Sequence, residues 1–236
     1  MFRHIHNACC LLCTNPINGN FGLCHACTLE LPLIQNPCLR CALDLDEARS
    51  ERGYCLQCMQ EPPFFDYCHA LGRYEYPLQE LISRFKFSAK LSAGRAITIA
   101  LIQEIKHTLQ RESPDAFLPV PLHAQRIRHR GFNQSSEIAK LLARHFSTPL
   151  LDTYCYRQRA TASQRGLTAC ARASNLRGAF ALHNQNRKWG HIAIVDDVVT
   201  TKSTVNAIAQ LLKSAGVKRV GVICLARVSE AFRTDT

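Results

Sequence analysis

The sequence predicts an α/β fold in which a mostly parallel sheet is flanked by helices and preceded by a small cysteine-rich domain. Beyond residue 67, short apolar segments alternate with amphipathic ones, the order that builds parallel sheets. Ten of the thirteen cysteines lie within the first 68 residues. The length of 236 residues suits one sizeable domain and one small domain. We therefore place a domain boundary between residues 1–66 and 67–236.

Strands and helices alternate along the larger domain. Pro77 suits the first turn of a helix, Ser203 or Thr204 suits an N-cap, and Gly216 suits a helix end. Residues 191–198 carry apolar side chains on both faces, as a central parallel strand requires. The predicted strands are 67–76, 115–122, 149–156, 191–198 and 217–228, and the predicted helices are 77–87, 92–112, 133–146 and 203–216, with a further helix beginning in 169–180.

Composition excludes several classes of protein. A hydrophobic content of 47% supplies a packed core, so the chain is not intrinsically disordered. It has no uncharged apolar run of the roughly 18 residues that a membrane-spanning helix needs. The first residues, MFRHIHNACCLLC, lack the apolar stretch and cleavage site of a signal peptide. We therefore expect a cytoplasmic protein without membrane insertion.

Four C-x-x-C pairs occupy the smaller domain. Without an export signal, metal binding in a reducing compartment explains these cysteines better than disulfides do. Each pair forms a tight turn that directs two thiolates at one cation, and two such turns complete a tetrahedral zinc site. The loops between consecutive pairs, 14–23 and 42–54, have zinc-ribbon size. The pairs are Cys10/Cys13, Cys24/Cys27, Cys38/Cys41 and Cys55/Cys58.

Sequential pairing gives two structural zinc sites, because four thiolates leave no open position for catalysis. The first two pairs form one site and the last two form the other, while crossed pairing stays open as an alternative. Cys9 and His25 lie beside predicted ligands and are less favoured substitutes. The remaining cysteines lie in apolar segments and are predicted core residues. They are Cys68, Cys155, Cys170 and Cys224.

The formal net charge of +11 is concentrated in one part of the chain. Residues 121–190 hold twelve Lys and Arg against two acidic residues, Glu137 and Asp152. A segment this basic attracts phosphate, on a small ligand or on nucleic acid. The alternative is an ordinary solvated surface, but these arginines are interleaved with Gly, Asn and Gln rather than with acids.

The segment HIAIVDDVVTTKST, residues 191–204, combines carboxylates with a hydroxyl-rich turn. It predicts a buried strand, a loop and a helix N-terminus, where backbone N–H groups favour anions. Carboxylates at the end of such a strand suit the cis-diol of a ribose or Mg²⁺. Asp196 and Asp197 followed by Thr200, Thr201, Lys202, Ser203 and Thr204 therefore predict a ribose 5-phosphate site. The alternative is a helix cap preceded by solvent-exposed acids.

These residues resemble the phosphoribosyl pyrophosphate (PRPP) motif of type I phosphoribosyltransferases. The resemblance implies that Asp196 and Asp197 contact the ribose hydroxyls and that residues 200–204 hold the 5-phosphate, with Mg²⁺ as cofactor. Lys202 departs from the motif, which usually has glycine there. Glycine would permit a positive φ, whereas lysine is strained at positive φ but offers a charge to the phosphate.

Two further segments, LPVPLHAQRIRHRGFNQSSEIAK (118–140) and SQRGLTACARASNLRGAF (163–180), narrow the resemblance to the ComF family. The double zinc ribbon agrees with it, and the similarity covers essentially the whole chain. It implies a pyrophosphate cleft, with residues 157–176 as a mobile loop over the site. Arginines at alternate positions of an extended segment would border that cleft. The implied cleft residues are Val120, Pro121, Leu122, Arg126, Arg128, Arg130, Asn133, Gln134, Gln164 and Arg172.

The family resemblance implies a competence protein that handles incoming single-stranded DNA in the cytoplasm during natural transformation. Single-stranded DNA, PRPP and other DNA-uptake proteins are then the expected partners. The alternative is an active phosphoribosyltransferase on a small base or amine, whose catalytic residues the sequence does not identify. A third hypothesis gives nucleic-acid binding to the ribbons, but residues 1–66 are not basic.

Overall fold

Short strands and longer helices alternate along the chain in a computed structural model that describes residues 8–17, 22–45, 53–88, 90–158, 178–183 and 188–228. The strands are β1 Ala8–Cys9, β2 Pro16–Ile17, β3 Tyr67–Arg73, β4 Ala116–Pro119, β5 Cys155–Arg157, β6 Phe180–Leu182, β7 His191–Val199 and β8 Arg219–Arg227. The helices are α1 His25–Leu29, α2 Leu56–Gln60, α3 Leu78–Phe87, α4 Leu91–Glu112, α5 Ala124–Arg130, α6 Gln134–Phe146 and α7 Ser203–Ser214.

The central sheet contains four strands in the order β3–β8–β7–β4, and every neighbouring pair is parallel. The predicted α/β fold with a mostly parallel sheet is therefore confirmed. Val195 of β7 aligns with Ile223 on one side and with Pro119 on the other. The aspartate that follows Val195 thus lies just past the carboxyl end of β4, while β7 and β8 stay paired as far as Val199. Parallel α/β sheets bind ligands outside such carboxyl ends. Strands β5 and β6 form a separate antiparallel pair.

The two faces of the sheet bury different partners. Along β7, Ile192 and Ile194 pack with α7 on one face, whereas Ala193 and Val195 pack with α3, α4 and α6 on the other. This alternation follows from the two-residue period of a strand. Of the first ribbon, residues 10–27, Cys10, Cys24 and Cys27 join the core on the α3, α4 and α6 face. All four paired cysteines of the second ribbon, residues 38–58, join the α7 face. Each ribbon therefore completes one face of the sheet.

The residues at which the helices begin and end agree with the sequence prediction in most places. Asn133 caps α6 by accepting a hydrogen bond from the Ser135 N–H through its side chain. Helix α7 begins at Ser203, but its N-cap is Lys202 rather than the expected Ser203 or Thr204. Lys202 has a φ of 66°, which places it in the left-handed region. Most of the helix expected to begin within 169–180 lies outside the described residues.

No helix among the described residues has both the length and the apolar composition that crossing a bilayer requires.

Candidate functional site

The eight predicted zinc ligands form two clusters of four cysteines. Within each cluster all four sulfurs lie within 4.8 Å of one another. The clusters follow sequential pairing, which resolves the alternative of crossed pairs. Neither Cys9 nor His25 belongs to a cluster among the described residues. The clusters are Cys10, Cys13, Cys24 and Cys27, and Cys38, Cys41, Cys55 and Cys58.

The distances between the sulfurs fit a tetrahedral zinc site. Four ligands at about 2.3 Å from a tetrahedral Zn²⁺ lie about 3.8 Å apart. The Cys13 and Cys24 sulfurs are 3.6 Å apart, and the Cys41 and Cys55 sulfurs are 3.7 Å apart. Zn²⁺ would hold these turns together and supply folding free energy to two ribbons that have little core of their own.

The two ribbons have the same local construction. The backbone N–H of the third cysteine donates to the sulfur of the first, from Cys24 to Cys10 at 3.4 Å and from Cys55 to Cys38 at 3.3 Å. In each ribbon a short helix follows the third cysteine, α1 after Cys24 and α2 after Cys55. Such N–H donors to sulfur orient the thiolates that surround a metal. The shared construction supports the same metal in both clusters.

Asp196 and Asp197 lie in the carboxyl-terminal half of β7, just past the last pairing with β4 at Val195. The strand continues beside β8 to Val199, so the aspartates precede the strand end that the sequence predicted for them. The Ser135 hydroxyl donates to Asp196 Oδ1 at 3.1 Å, and the Asp197 N–H donates to the same oxygen at 2.9 Å. Lys86, in the last turn of α3, pairs with Asp197 through an Nζ–Oδ1 distance of 3.0 Å. Three elements, α3, α6 and β7, therefore converge on this carboxylate pair.

The two carboxylates differ in their electrostatic surroundings. Burial and the neighbouring charge of Asp197 raise the pKa of Asp196 to about 7, against the opposing effects of Lys86 and the Ser135 hydroxyl. At neutral pH, Asp196 is thus poised between its two protonation states. A cation or a diol hydroxyl that approaches the pair favours the charged form of the carboxylate.

The hydroxyl-rich turn between β7 and α7, residues 200–202, follows the carboxylates after the last two residues of β7. The Thr201 and Ser203 hydroxyls share a hydrogen bond of 2.9 Å, and Thr200 is exposed. The side chain of Lys202 is 7% exposed, and its Nζ contacts Cys58 Sγ at 3.7 Å. The lysine charge predicted for the phosphate therefore points into the second ribbon, while the N-terminal N–H groups of α7 stay beside the hydroxyls.

The segment between β4 and α6 borders the same edge. The Val120 N–H donates to the Val195 carbonyl at 2.9 Å, and the Asn133 side-chain amide donates to the Val120 carbonyl at 3.0 Å. These bonds hold the Val120-Pro121-Leu122 turn against β7. Gln134 begins α6 one residue before the serine that contacts Asp196.

The expected extended segment of alternating arginines is wrong, because residues 124–130 form helix α5. In a helix, Arg126 and Arg130 lie four residues apart on one face, while Arg128 points elsewhere. Arg126 and Arg130 are accordingly half-buried and Arg128 is exposed. Arg130 donates to Gln134 Oε1 at 3.4 Å and covers the exposed ring of Phe87 at 5.5 Å from its centroid.

Sequence reasoning missed several residues of this edge. Lys86 and Ser135 contact the aspartates, although neither stood out from its helix. Arg157 lies against the Phe180 ring, and burial together with the charge of Arg126 lowers its pKa. Only Arg227 had a recognisable sequence signal, because it follows the apolar run of β8 directly. It is 2% exposed. Gln164 and Arg172 lie outside the described residues.

A separate cavity of about 520 Å³ opens between α4 and α6, beside Gly22 of the first ribbon. It contains neither aspartate, but three cationic side chains line it: Arg95, Lys140 and Arg144. Lys140 is paired with Glu137 at 2.7 Å. The basic surface therefore extends from α5 along α6.

Comparison with known proteins gives matches over most of the chain. The family model described as "Phosphoribosyl transferase domain" matches residues 133–233, which include both aspartates and the hydroxyl-rich turn. "Competence protein F" of Haemophilus influenzae is 34% identical over 224 residues, covering 92% of this chain and 96% of that protein. "DNA utilization protein YhgH" of Escherichia coli K12 is 37% identical with the same coverage. "Competence protein ComFC" of Bacillus subtilis is 24% identical, covering 90% of this chain and 91% of that protein.

Proposed function

Because this chain belongs to the ComF family of competence proteins, we propose that it handles single-stranded DNA during natural transformation and binds PRPP with Mg²⁺ at the strand ends. The observation that carries the PRPP proposal is the position of Asp196 and Asp197. They lie in β7 just past the carboxyl end of β4, two residues before the hydroxyl-rich turn that leads into α7. The cytoplasm is the proposed compartment, because reduced thiolates are needed for both zinc sites.

Each part of PRPP has a matching group in this proposal. Asp196 and Asp197 accept hydrogen bonds from the ribose hydroxyls, with Mg²⁺ bound alongside. The N–H groups at the start of α7, together with Thr201 and Ser203, bind the 5-phosphate. The Val120 turn and Arg126 and Arg130 of α5 border the pyrophosphate, with Asn133 and Gln134 at the start of α6. Lys86 offsets the charge of Asp197 until the ligand and its metal arrive.

The basic surface supports the DNA half of the proposal. Nucleic-acid affinity depends largely on phosphate neutralisation, and Arg128 of α5 and Lys140 and Arg144 of α6 are exposed cations that can supply it. Phe87 is 66% exposed and lies beside the Arg130 guanidinium, a pairing on which a base can stack. Further DNA-uptake proteins are proposed as partners because the relatives carry competence and DNA-utilization names.

A second candidate is an active phosphoribosyltransferase, favoured by the match to a phosphoribosyl transferase domain. An incoming nucleophile would form a bond to C1 of the ribose as the C1–O bond to pyrophosphate breaks. Mg²⁺ and the nearby arginines would stabilise the leaving pyrophosphate. Release of pyrophosphate from PRPP in the presence of a nucleobase distinguishes this candidate from a binding protein.

One titration tests the proposal. PRPP with Mg²⁺, and separately a fluorescent single-stranded oligonucleotide, are titrated against the wild type and against the Asp196→Asn/Asp197→Asn double variant. We expect the double variant to lose PRPP binding and to retain DNA binding if the two ligands use different groups. Absence of PRPP binding in the wild type contradicts the ribose-phosphate site. Absence of DNA binding at low salt contradicts the nucleic-acid role.

A further inference from the structure

Two buried cations flank the turn that leads from β7 to α7. Lys202 is 7% exposed and Arg227, in the last position of β8, is 2% exposed. Within the described residues, neither forms a salt bridge with a carboxylate, although such burial of unpaired charge is costly. Something else in the structure must compensate these two charges.

Both cations are directed at the second cysteine cluster. Lys202 Nζ contacts Cys58 Sγ at 3.7 Å, and Arg227 Nε donates to the Cys41 carbonyl at 3.0 Å. The Arg227 guanidinium also donates to the carbonyls of Val199, at 2.8 Å, and of Thr200. One arginine therefore joins a metal-ligand residue to the last residue of β7 and to the first residue of the hydroxyl-rich turn.

The charges match once the cluster holds zinc. Four thiolates and one Zn²⁺ carry a net charge of −2, because each thiolate contributes −1 and the metal +2. Lys202 and Arg227 together contribute +2. The second cluster thus supplies the missing counter-charge for both cations. In the described part of the first ribbon, by contrast, no lysine or arginine donates to a ligand sulfur; Arg84 donates to the Leu11 carbonyl.

A third connection joins the ribbon to α7. The Asn206 side chain, in the first turn of α7, accepts a hydrogen bond from the Phe64 N–H at 2.6 Å, shortly after the second ribbon ends. The Lys202 carbonyl accepts from the Asn206 N–H at 2.8 Å. The left-handed φ of Lys202, 66°, is unfavourable for a side chain with a Cβ. The contact of its ammonium with the thiolates offsets that strain.

We propose that Lys202 and Arg227 are positioning residues that lock the phosphate turn onto the metal-loaded second cluster, so that zinc there and phosphate at the turn bind cooperatively. The phosphate half of this inference rests on the proposed ribose-phosphate function, and the zinc half does not. Lys202 acts through the turn and the thiolates, because its charge faces the cluster instead of the ligand.

Zinc release tests the first half. Full-length protein loaded with two equivalents of Zn²⁺ is titrated with a chromophoric chelator, and Lys202→Met, Lys202→Gly and Lys202→Arg are compared with the wild type. We expect Met and Gly to weaken one of the two sites by about tenfold or more, as loss of a partner around the ligands does, and Arg to restore most of the affinity. Lys202→Gly is the matched control for backbone strain, because it removes the charge while relieving the positive φ.

The remaining outcomes of zinc release are also decisive. Unchanged release from both sites in Lys202→Met overturns the inference. Equal weakening of both sites overturns it as well, since the first ribbon makes no such contact among its described residues. Cys58→Ser and Cys13→Ser assign the release steps to the second and the first cluster, respectively.

Calorimetry with PRPP and Mg²⁺ tests the second half. We expect zinc-loaded wild type to bind PRPP about tenfold or more tightly than Lys202→Met or Cys58→Ser, the variant that lacks a ligand of the second cluster. Equal affinity in all three samples overturns the coupling. If zinc-loaded wild type binds no PRPP, the proposed ribose-phosphate function fails, whereas zinc release still decides whether Lys202 stabilises the thiolate cluster.

Discussion

Raising the pH from about 6 to about 8 should tighten the binding of PRPP and Mg²⁺ roughly tenfold through Asp196 alone. Burial and the charge of Asp197 raise the pKa of this carboxyl to about 7. With that pKa, about 9% of the group is ionised at pH 6 and about 91% at pH 8. A diol or a metal ion that needs the carboxylate form therefore meets about ten times more competent protein at the higher pH.

Isothermal titration calorimetry at half-unit pH steps measures this effect. The 5-phosphate of PRPP also loses a proton near pH 6, so the wild type must be compared with a variant that cannot titrate. Asp196→Asn keeps an oxygen that accepts from the Ser135 hydroxyl and the Asp197 N–H. We expect the Asp196→Asn variant to bind PRPP more weakly than the wild type. The pH dependence of its affinity should follow only the ionisation of the 5-phosphate. Wild-type affinity that parallels the variant at every pH would refute a role for Asp196 ionisation.

The same carboxyl makes an independent prediction about stability. Its folded pKa lies above its unfolded value, so its stabilising contribution is complete below about pH 4 and is lost as the pH rises through about 7. Asp196→Asn should therefore become progressively more stable than the wild type between these limits, as measured by urea unfolding. Lys86→Met should move the affinity midpoint to higher pH, because Lys86 opposes the rise in the pKa of Asp196.

Three further perturbations test the parts that support the site. Asn133→Ala should destabilise α6 by about 1 kcal/mol in urea unfolding, whereas Asn133→Asp should keep the cap and lose only the bond to the Val120 carbonyl. Gly72→Ala should cost about 1–3 kcal/mol in the same assay, because its Cβ would lie 2.5 Å from the Pro32 carbonyl oxygen. Arg128→Ala should lower the slope of log affinity for single-stranded DNA against log salt by about 0.7 if this exposed residue contacts a phosphate; an unchanged slope would exclude that contact.

The larger elements were predictable because their signals are local. A strand such as β7, with apolar side chains on both faces over residues 192–195, is stable in an α/β fold only between neighbouring strands. The spacing of paired cysteines similarly fixes the turns that carry the metal ligands. The path of residues 124–130 was not predictable from alternating arginines. Alternating arginines suggest an extended segment, in which positions two apart share a side, whereas the helix that forms brings positions four apart together.

The contacts across the site depend on how distant elements meet, which no local pattern encodes. Lys86 reaches Asp197 because the last turn of α3 ends beside β7. Arg227 reaches the turn after β7 because β7 and β8 are paired in parallel, with Val199 opposite Arg227 itself. The carboxylates could be placed at a strand end from the sequence, but their neighbours required the sheet order β3–β8–β7–β4.

The position of Lys202 shows why an exception to a motif needs its structural context. Glycine adopts a positive φ readily because it has no Cβ. From the sequence alone, a lysine at this position is expected to direct its charge at the phosphate. Its side chain is instead buried against Cys58, on the side of the turn that faces the second ribbon. Lys202 thus has the strained backbone of the turn and also the side chain that contacts the thiolate cluster. A glycine at this position should remove the connection to zinc while relieving the backbone strain, so its zinc affinity shows how much of the effect of Lys202→Met comes from the lost charge.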